Sequence, residues 1–394
     1  MPEFLLEPLD ILFFRDGRPM AAGQGTGHGC RLPLPSTLHE AVRFALLYNS
    51  GFRTGTGHRR QNFSGNTAFQ SLRVRGPFLF DERDKQIRLP LPLDVVQADA
   101  NNLKTLQLLR QDNHTFPPLL PVSPIAATKA TPRGFWTPEQ FSAYLKGESA
   151  NFTPLQQSEL LKAEHRVGVE IEDSTYTSKE GQLYAASYLR PHKHTRFWFE
   201  ATVGDHHQPH EADELKKLSF ILLGGDRRLV RVWNGDRAPK LEIQRPNFKE
   251  TNNCLLKWVL LTPAIFAGGW LPGWLQSNGH KPDGKPEGEV RYQIGGRATL
   301  VSVCLGKPLP ISGWDVQKNE PKPTHLAVPA GSVYYFECDS PQTAENLAMH
   351  LHLKTRSDLF GEKGYGLGVC GTWQPYSELT SKNVPDSANH RKTN

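Results

Sequence analysis

Apolar residues fill positions 4–14 almost without a break and stop at Arg15-Asp16-Gly17-Arg18-Pro19, a turn sequence. This pattern predicts a buried strand followed by a loop, which continues through the glycine-rich stretch GQGTGHGC, residues 23–30. Thr37 and Glu40 have the spacing of a capping box, and Leu38, Ala41, Val42, Ala45 and Leu46 then share one helical face up to a stop at Gly51. The pattern loses its regularity over residues 52–163, which read as a long insertion. It holds strand-like pieces at 72–80 and 87–91, proline-rich connectors, and a small helix opened by Thr137-Pro138.

Alternation returns at 166–171, 183–189 and 197–203, predicting three strands. A polar helix over 211–218 follows, then an apolar approach at 220–223 that runs through Gly224-Gly225-Asp226-Arg227-Arg228 into a last strand. The order strand, helix, strands, helix, strand is the ferredoxin-like βαββαβ plan, with its insertion after the first helix. The C-terminal half repeats it less clearly. Strands are predicted at 254–261, 290–294, 297–304, 332–337 and 369–373. A Gly295-Gly296 hairpin turn joins the second and third, and a helix opens at Ser340-Pro341. The first helix of this half has no clear signal. The fold class is therefore α+β, with two tandem ferredoxin-like (RRM-like) modules: residues 1–240 with the insertion at 52–163, and residues 241–394 with a polar tail.

Composition adds direction. The 394 residues carry a formal net charge of +6, which mildly favours polyanionic partners. Between Phe52 and Arg75 there is no acidic residue, while Arg53, Arg59, Arg60, Arg73 and Arg75 alternate with Phe52, Phe63 and Phe69. Guanidinium groups pair with phosphates and exposed rings stack on bases. A solvated loop would show the same composition. No apolar run reaches membrane-spanning length, and the N-terminus lacks the basic region and cleavage site of a signal peptide, so a cytoplasmic location is expected.

Cys30, Cys254, Cys304, Cys338 and Cys370 form no CxxC pair, which predicts free thiols rather than a zinc or disulfide framework. The histidine clusters HHQPH (206–210) and PHKHT (191–195) lack the flanking pattern of a metal site. No metal and no cofactor is expected.

Two glycine-rich turns stand before the predicted final strands. The first carries Gly224, Gly225, Arg227 and Arg228; the second carries Lys363, Gly364, Tyr365, Gly366 and Gly368. Glycine there lets backbone amides approach a phosphate. The expected picture is a pair of β-sheet platforms whose glycine hinges and arginine forks grip an RNA strand. GEKGYGLG has neither the Lys-Ser/Thr ending of a Walker loop nor the strand-to-helix order of a dinucleotide fingerprint. His28 and His39 are the candidates for a general base in metal-free RNA cleavage.

Several blocks together resemble one family. LEPLDILFFRDGRPM (6–20) and EHRVGVEIEDSTYTSKEGQLYAASYLR (164–190) are similar to the opening and middle of the third subunit of the Cmr complex, the type III-B CRISPR effector. RGFWTPEQFSAYLKG (133–147), LLGGDRRLVRV (222–232) and GYGLGVCGTW (364–373) fit it too, the glycine loops being shared across the wider RAMP superfamily. The resemblance implies tandem RRM-like folds and no nuclease activity. It also implies a place between the large polymerase/cyclase-type subunit and the backbone RAMP subunit, capping the 5′ handle of the guide RNA in antiviral defence. By this resemblance Arg15, Arg18, Gly224, Gly225, Arg227, Arg228 and the 364–371 loop are the RNA-contacting or site-shaping positions. His28, Arg53, Arg59 and Arg60 join them on chemistry. The alternative is a metal-independent guide-processing ribonuclease using His28 or His39.

Overall fold

The computed structural model describes residues 1–14, 25–27, 32–52, 66–99, 102–108, 119–123, 132–204, 209–280, 286–315 and 320–375. Arg15, Arg18, His28, Arg53, Arg59 and Arg60 lie outside them.

The opening apolar run forms β1 (Glu3–Pro8), followed by α1 (Pro35–Asn49), β2 (Arg73–Asp81), β3 (Gln86–Pro90), β4 (Phe135–Trp136) and α2 (Pro138–Lys146). Next come β5 (Leu161–Ile171), β6 (Ser178–Pro191), β7 (Thr195–Thr202), α3 (Pro209–Lys216), β8 (Phe220–Leu223) and β9 (Arg228–Asn234). The first sheet runs β8-β9-β1-β7-β2-β3-β4, antiparallel throughout.

The strand pieces read as parts of the insertion are thus members of this sheet, because alternate residues of β2 pack into its core. Residues 166–171 and 183–189, read as core strands, instead form the β5–β6 hairpin. It pairs with the short strand Gly25–Gly27 in a sheet of its own and is tied to the chain after β1 by an isolated bridge between Leu12 and Leu189. Leu161 and Leu189 at its foot are buried in the core, whereas Val167, Val169, Ile171 and Leu183 farther along the hairpin are all exposed. Alternation marks strand but not which sheet the strand joins.

The C-terminal half contributes β10 (Leu255–Leu260), β11 (Gln276–His280), β12 (Pro286–Ile294), β13 (Ala298–Cys304), β14 (Val333–Cys338), α4 (Pro341–Leu351), β15 (Lys354–Thr355) and β16 (Leu367–Thr372). Its sheet runs β11-β12-β13-β14-β10-β16-β15. The Gly295-Gly296 turn joins β12 to β13 as expected, both glycines having positive φ. Among the described residues no helix stands between β10 and β13.

Helix starts follow local chemistry unevenly. At α2, Thr137 and Gln140 complete a reciprocal capping box, and at α4 the Ser340 hydroxyl accepts from the Thr343 amide. At α1 the expected box is absent. The helix begins three residues earlier, at Pro35, with Leu34 rather than Thr37 as its N-cap and no side-chain cap, and Glu40 is engaged elsewhere. Proline at the first helical position needs no amide partner, which allows the earlier start.

Phe4, Leu6, Phe197, Phe199, Ile221 and Val230 of the first sheet bury against Leu38, Val42 and Leu46 of α1 and Leu215 of α3. The second sheet packs Leu256, Trp258 and Phe336 on Ala344, Leu347 and Leu351 of α4. The two remaining faces meet around α2: Leu5, Phe78 and Trp198 from one, Val259, Tyr335 and Val369 from the other, with Phe141 and Leu145 between. The central part of each helix-free face is therefore filled by protein. The two sheets are not a pair of open platforms, because large apolar side chains on both faces are shielded from water by facing each other.

A candidate nucleic-acid interface at the foot of the hairpin

The second glycine loop belongs to the seam between the halves. A Cβ on Gly364 would meet the Val74 carbonyl at 2.8 Å, one on Gly366 would overlap the Ser357 amide, and one on Gly368 would overlap the Trp258 indole. Gly364 and Gly366 also have positive φ, at 102° and 72°. Glycine is required here for close backbone packing rather than for an open phosphate cradle. Tyr365 is fully buried, 2.8 Å from the Ser36 hydroxyl, so its ring offers no face for a base. Lys363 is also committed: its ammonium donates to Glu40 at 2.6 Å. Burial opposes ionisation of Glu40, but His39 and Lys363 outweigh it and hold the carboxyl at about 2. His39 is buried, with Nε2 at 3.2 Å from the Leu72 carbonyl oxygen, and so is closed to an RNA hydroxyl.

The first glycine loop is different. It joins β8 to β9 as a hairpin turn, rather than a helix to a strand. Gly224 and Gly225 let Phe13 and Phe14 approach: a Cβ on Gly225 would stand 2.6 Å from the Phe13 ring, and the Gly225 amide donates to the Phe13 carbonyl at 2.8 Å. Phe14 is the last described residue before the segment holding Arg15 and Arg18. Asp226 and Arg227 follow with φ of 57° and 48°, a conformation that side chains usually avoid. The Tyr188 hydroxyl, donating to Asp226 at 2.8 Å, holds this strained turn and leaves Arg227 exposed.

Tyr188 is the centre of the arrangement. The guanidinium carbons of Arg166 and Arg228 lie 5.5 and 5.8 Å from its ring centroid, and the Phe13 ring packs against it, tilted by 37°, at 5.1 Å. Register places these groups together. In the β5–β6 ladder Glu164 pairs with Tyr188, Lys162 with Arg190 and Arg166 with Ala186, so Glu164, Arg166, Tyr188 and Arg190 share one side of the hairpin foot. Glu164 accepts from Arg190 at 2.5 Å and from Arg166 at 2.8 Å, and these two cations hold its carboxyl at about 2. Asp10 lies 3.2 Å from Arg228 and 3.8 Å from Arg190. Arg228 is thus half-spent on Asp10 and Asp226, whereas Arg227 has no ion-pair partner among the described residues. Arg166, Arg190 and Arg227 remain solvent-facing.

This cluster suits a phosphate backbone. Exposed guanidinium forks stand over a carboxylate that fixes their orientation, beside a ring already stacked with cations. Of the described residues picked out in the sequence, Gly224, Gly225, Arg227 and Arg228 are brought into it. Arg166, Tyr188 and Arg190 carry no individual motif, although Glu164–Arg166 and Tyr188–Arg190 each have the two-residue spacing that puts side chains on one side of a strand. Among the described residues no group of three or more His, Cys, Asp and Glu side chains is placed to hold a metal ion. The His192 and His194 rings approach the backbone carbonyls of Ser158 and Glu159.

Comparison with known proteins agrees with the resemblance. No curated protein matches the sequence significantly. In structure, a chain of type III-B Cmr-beta bound to cognate target RNA matches with a TM-score of 0.50 and 17% identity, over 92% of this chain and 95% of that one. A chain of Cmr-beta bound to cognate target RNA and AMPPnP scores 0.47 at 17% identity, covering 84% and 86%. A chain of the Csm3-Csm4 subcomplex of a type III-A CRISPR-Cas interference complex scores 0.41 at 11% identity, covering 95% and 100%. The first shows the same strand-rich α+β fold. The family model for CRISPR-associated protein (Cas_Cmr3) matches residues 4–373, nearly the whole chain, and the chain belongs to that family.

Proposed function

We propose that the chain is a non-catalytic RNA-binding and assembly subunit of a type III-B CRISPR ribonucleoprotein, capping the 5′ handle of the guide RNA. The observation that carries this reading is the guanidinium cluster around Tyr188. It combines exposed cations with a glycine turn and adjoins the segment bearing Arg15 and Arg18. A single RNA strand would be held by phosphate contacts from Arg166, Arg190 and Arg227, with bases splayed toward neighbouring pockets.

The same reading divides the chain into two ferredoxin-like modules, residues 1–240 and 241–394. Strand order supports it: β9-β1-β7-β2 in the first half and β16-β10-β14-β13 in the second each place the fourth strand beside the first, then the third, then the second. Buried side chains of both halves pack together across the seam. That packing suits a cytoplasmic cap joining the large polymerase/cyclase-type subunit to a backbone subunit.

Fluorescence anisotropy with a labelled repeat-derived handle RNA, on the full chain assembled with its neighbouring subunits, tests the reading. Charge reversal of Arg190 and Arg227 together is expected to weaken binding at least about tenfold. Equal affinity for handle RNA and for an unrelated RNA of the same length would end the capping assignment. Cleavage of repeat RNA in EDTA that is lost in His28→Ala would overturn the non-catalytic one.

A further inference from the structure

The face of the first sheet turned away from α1 and α3 is covered over its inner strands by α2, but over β8 and β9 it is partly exposed. On β8 and β9 the residues that alternate onto this face are Phe220, Leu222, Leu229, Arg231 and Trp233, and Phe220, Leu222 and Leu229 are 44%, 37% and 45% exposed. Their alternation partners, Ile221, Leu223, Val230 and Val232, face the helices and are buried.

The exposed side chains pack on one another. The Arg231 guanidinium lies 5.8 Å from the Phe220 ring and 5.3 Å from the Trp233 ring, and Arg237 lies over the same indole at 4.1 Å. Glu7 fixes the ladder from below, accepting from the Trp233 indole at 3.0 Å and from Arg231 at 3.4 Å. The ladder ends in a half-exposed ring, Phe220, and an exposed guanidinium, Arg237, which has no carboxylate partner among the described residues.

We propose that this ladder is a second contact for single-stranded RNA, continuing the track that begins at the Arg227 turn; it rests on the reading of that turn as an RNA site. Continuity favours RNA over a protein partner. β9 leads from the turn directly into the ladder, at about 3.3 Å per residue. The Phe220 ring and the Arg237 plane at the two ends of the ladder offer stacking surfaces for bases, and the cations answer the phosphates. Leu222 and Leu229 are the apolar step between the two sites.

The test compares RNAs of about four and about twelve nucleotides, within the range of sites that stack single strands. Each is titrated into the full chain, wild type, Phe220→Ala/Arg237→Gln, and Arg190→Glu/Arg227→Glu, with circular dichroism confirming the fold. The ladder variant is expected to bind the short RNA as wild type does and the long RNA about tenfold more weakly. If the turn variant loses both RNAs while the ladder variant binds both normally, the ladder proposal fails and the turn site stands. If wild type binds neither RNA, the turn site fails and the ladder with it. A ladder variant that keeps RNA affinity but no longer joins the neighbouring subunits marks a protein-docking face and also overturns the proposal.

Discussion

Lys363 and Glu40 stand 323 residues apart in the chain, yet the lysine ammonium donates to the carboxylate at 2.6 Å and ties the second glycine loop to the first helix. Tyr365, two residues on, lies 2.8 Å from Ser36 of the same helix. The loop that looked like a phosphate cradle is therefore part of the join between the halves.

Because Glu40 is held at about 2 in the folded protein against an ordinary value of 4.5, its contribution to stability is complete above 4.5. It is lost as pH falls through about 2. Glu40→Gln is expected to cost about 1–2 kcal/mol at neutral pH, a figure reduced for the pair's partial exposure. Thermal denaturation at pH 7, 4 and 2.5 should show the difference from wild type shrinking toward the acid end.

Gly366→Ala tests the packing role of the same loop. The new methyl group would overlap the Ser357 backbone at a φ of 72°, where alanine is itself strained. A loss of about 2–4 kcal/mol is expected in urea denaturation. A variant as stable as wild type would mean that the loop is not tightly docked.

Between the halves Asp94 accepts from the hydroxyls of Tyr144 at 2.6 Å and Tyr335 at 2.9 Å, and the Lys257 ammonium lies 3.7 Å away over the Tyr144 ring. Asp94→Ala strands a buried lysine and two hydroxyls, and is expected to cost about 3–5 kcal/mol. Lys257→Met, which leaves the tyrosine bonds in place, should cost much less. Denaturant midpoints of the two variants decide this.

Burial depresses Lys257 to about 8, with Asp94 opposing, against an ordinary 10.5. Above about pH 8 the unfolded chain binds more protons at this position than the folded one, so stability from this group rises with pH. Relative to Lys257→Met, wild type should gain about 1–2 kcal/mol between pH 8 and about 9.5. The window stops there because the buried Tyr144 and Tyr335 hydroxyls, pushed upward by burial, contribute in the opposite sense once free tyrosine ionises.

At the hairpin foot, Arg227→Gln should lower handle affinity and flatten the dependence of log affinity on log salt by roughly 0.7, the amount for one phosphate on a single strand. An unchanged slope would place Arg227 off the backbone.

The sequence by itself determined the elements that local chemistry dictates. The boundaries of α2 and α4 follow from Thr137 and Ser340, and the β12–β13 hairpin from two adjacent glycines able to take positive φ. The buried face of α4 follows from apolar spacing. Blocks spread along the chain also carried the family. Tertiary structure decided what local pattern leaves open. It moved Glu40 from a helix cap to an ion pair with a residue of the other half, and brought Arg73–Asp81 into the central sheet. It assigned the alternating residues of β5 and β6 to a projecting hairpin, and buried the helix-free sheet faces against each other. It also gathered Arg166, Tyr188, Arg190 and Arg228 from positions up to 62 residues apart, counting from 166 to 228. Pattern along a strand records which residues share a face. What covers that face depends on segments distant in the chain, and only their packing together settles it.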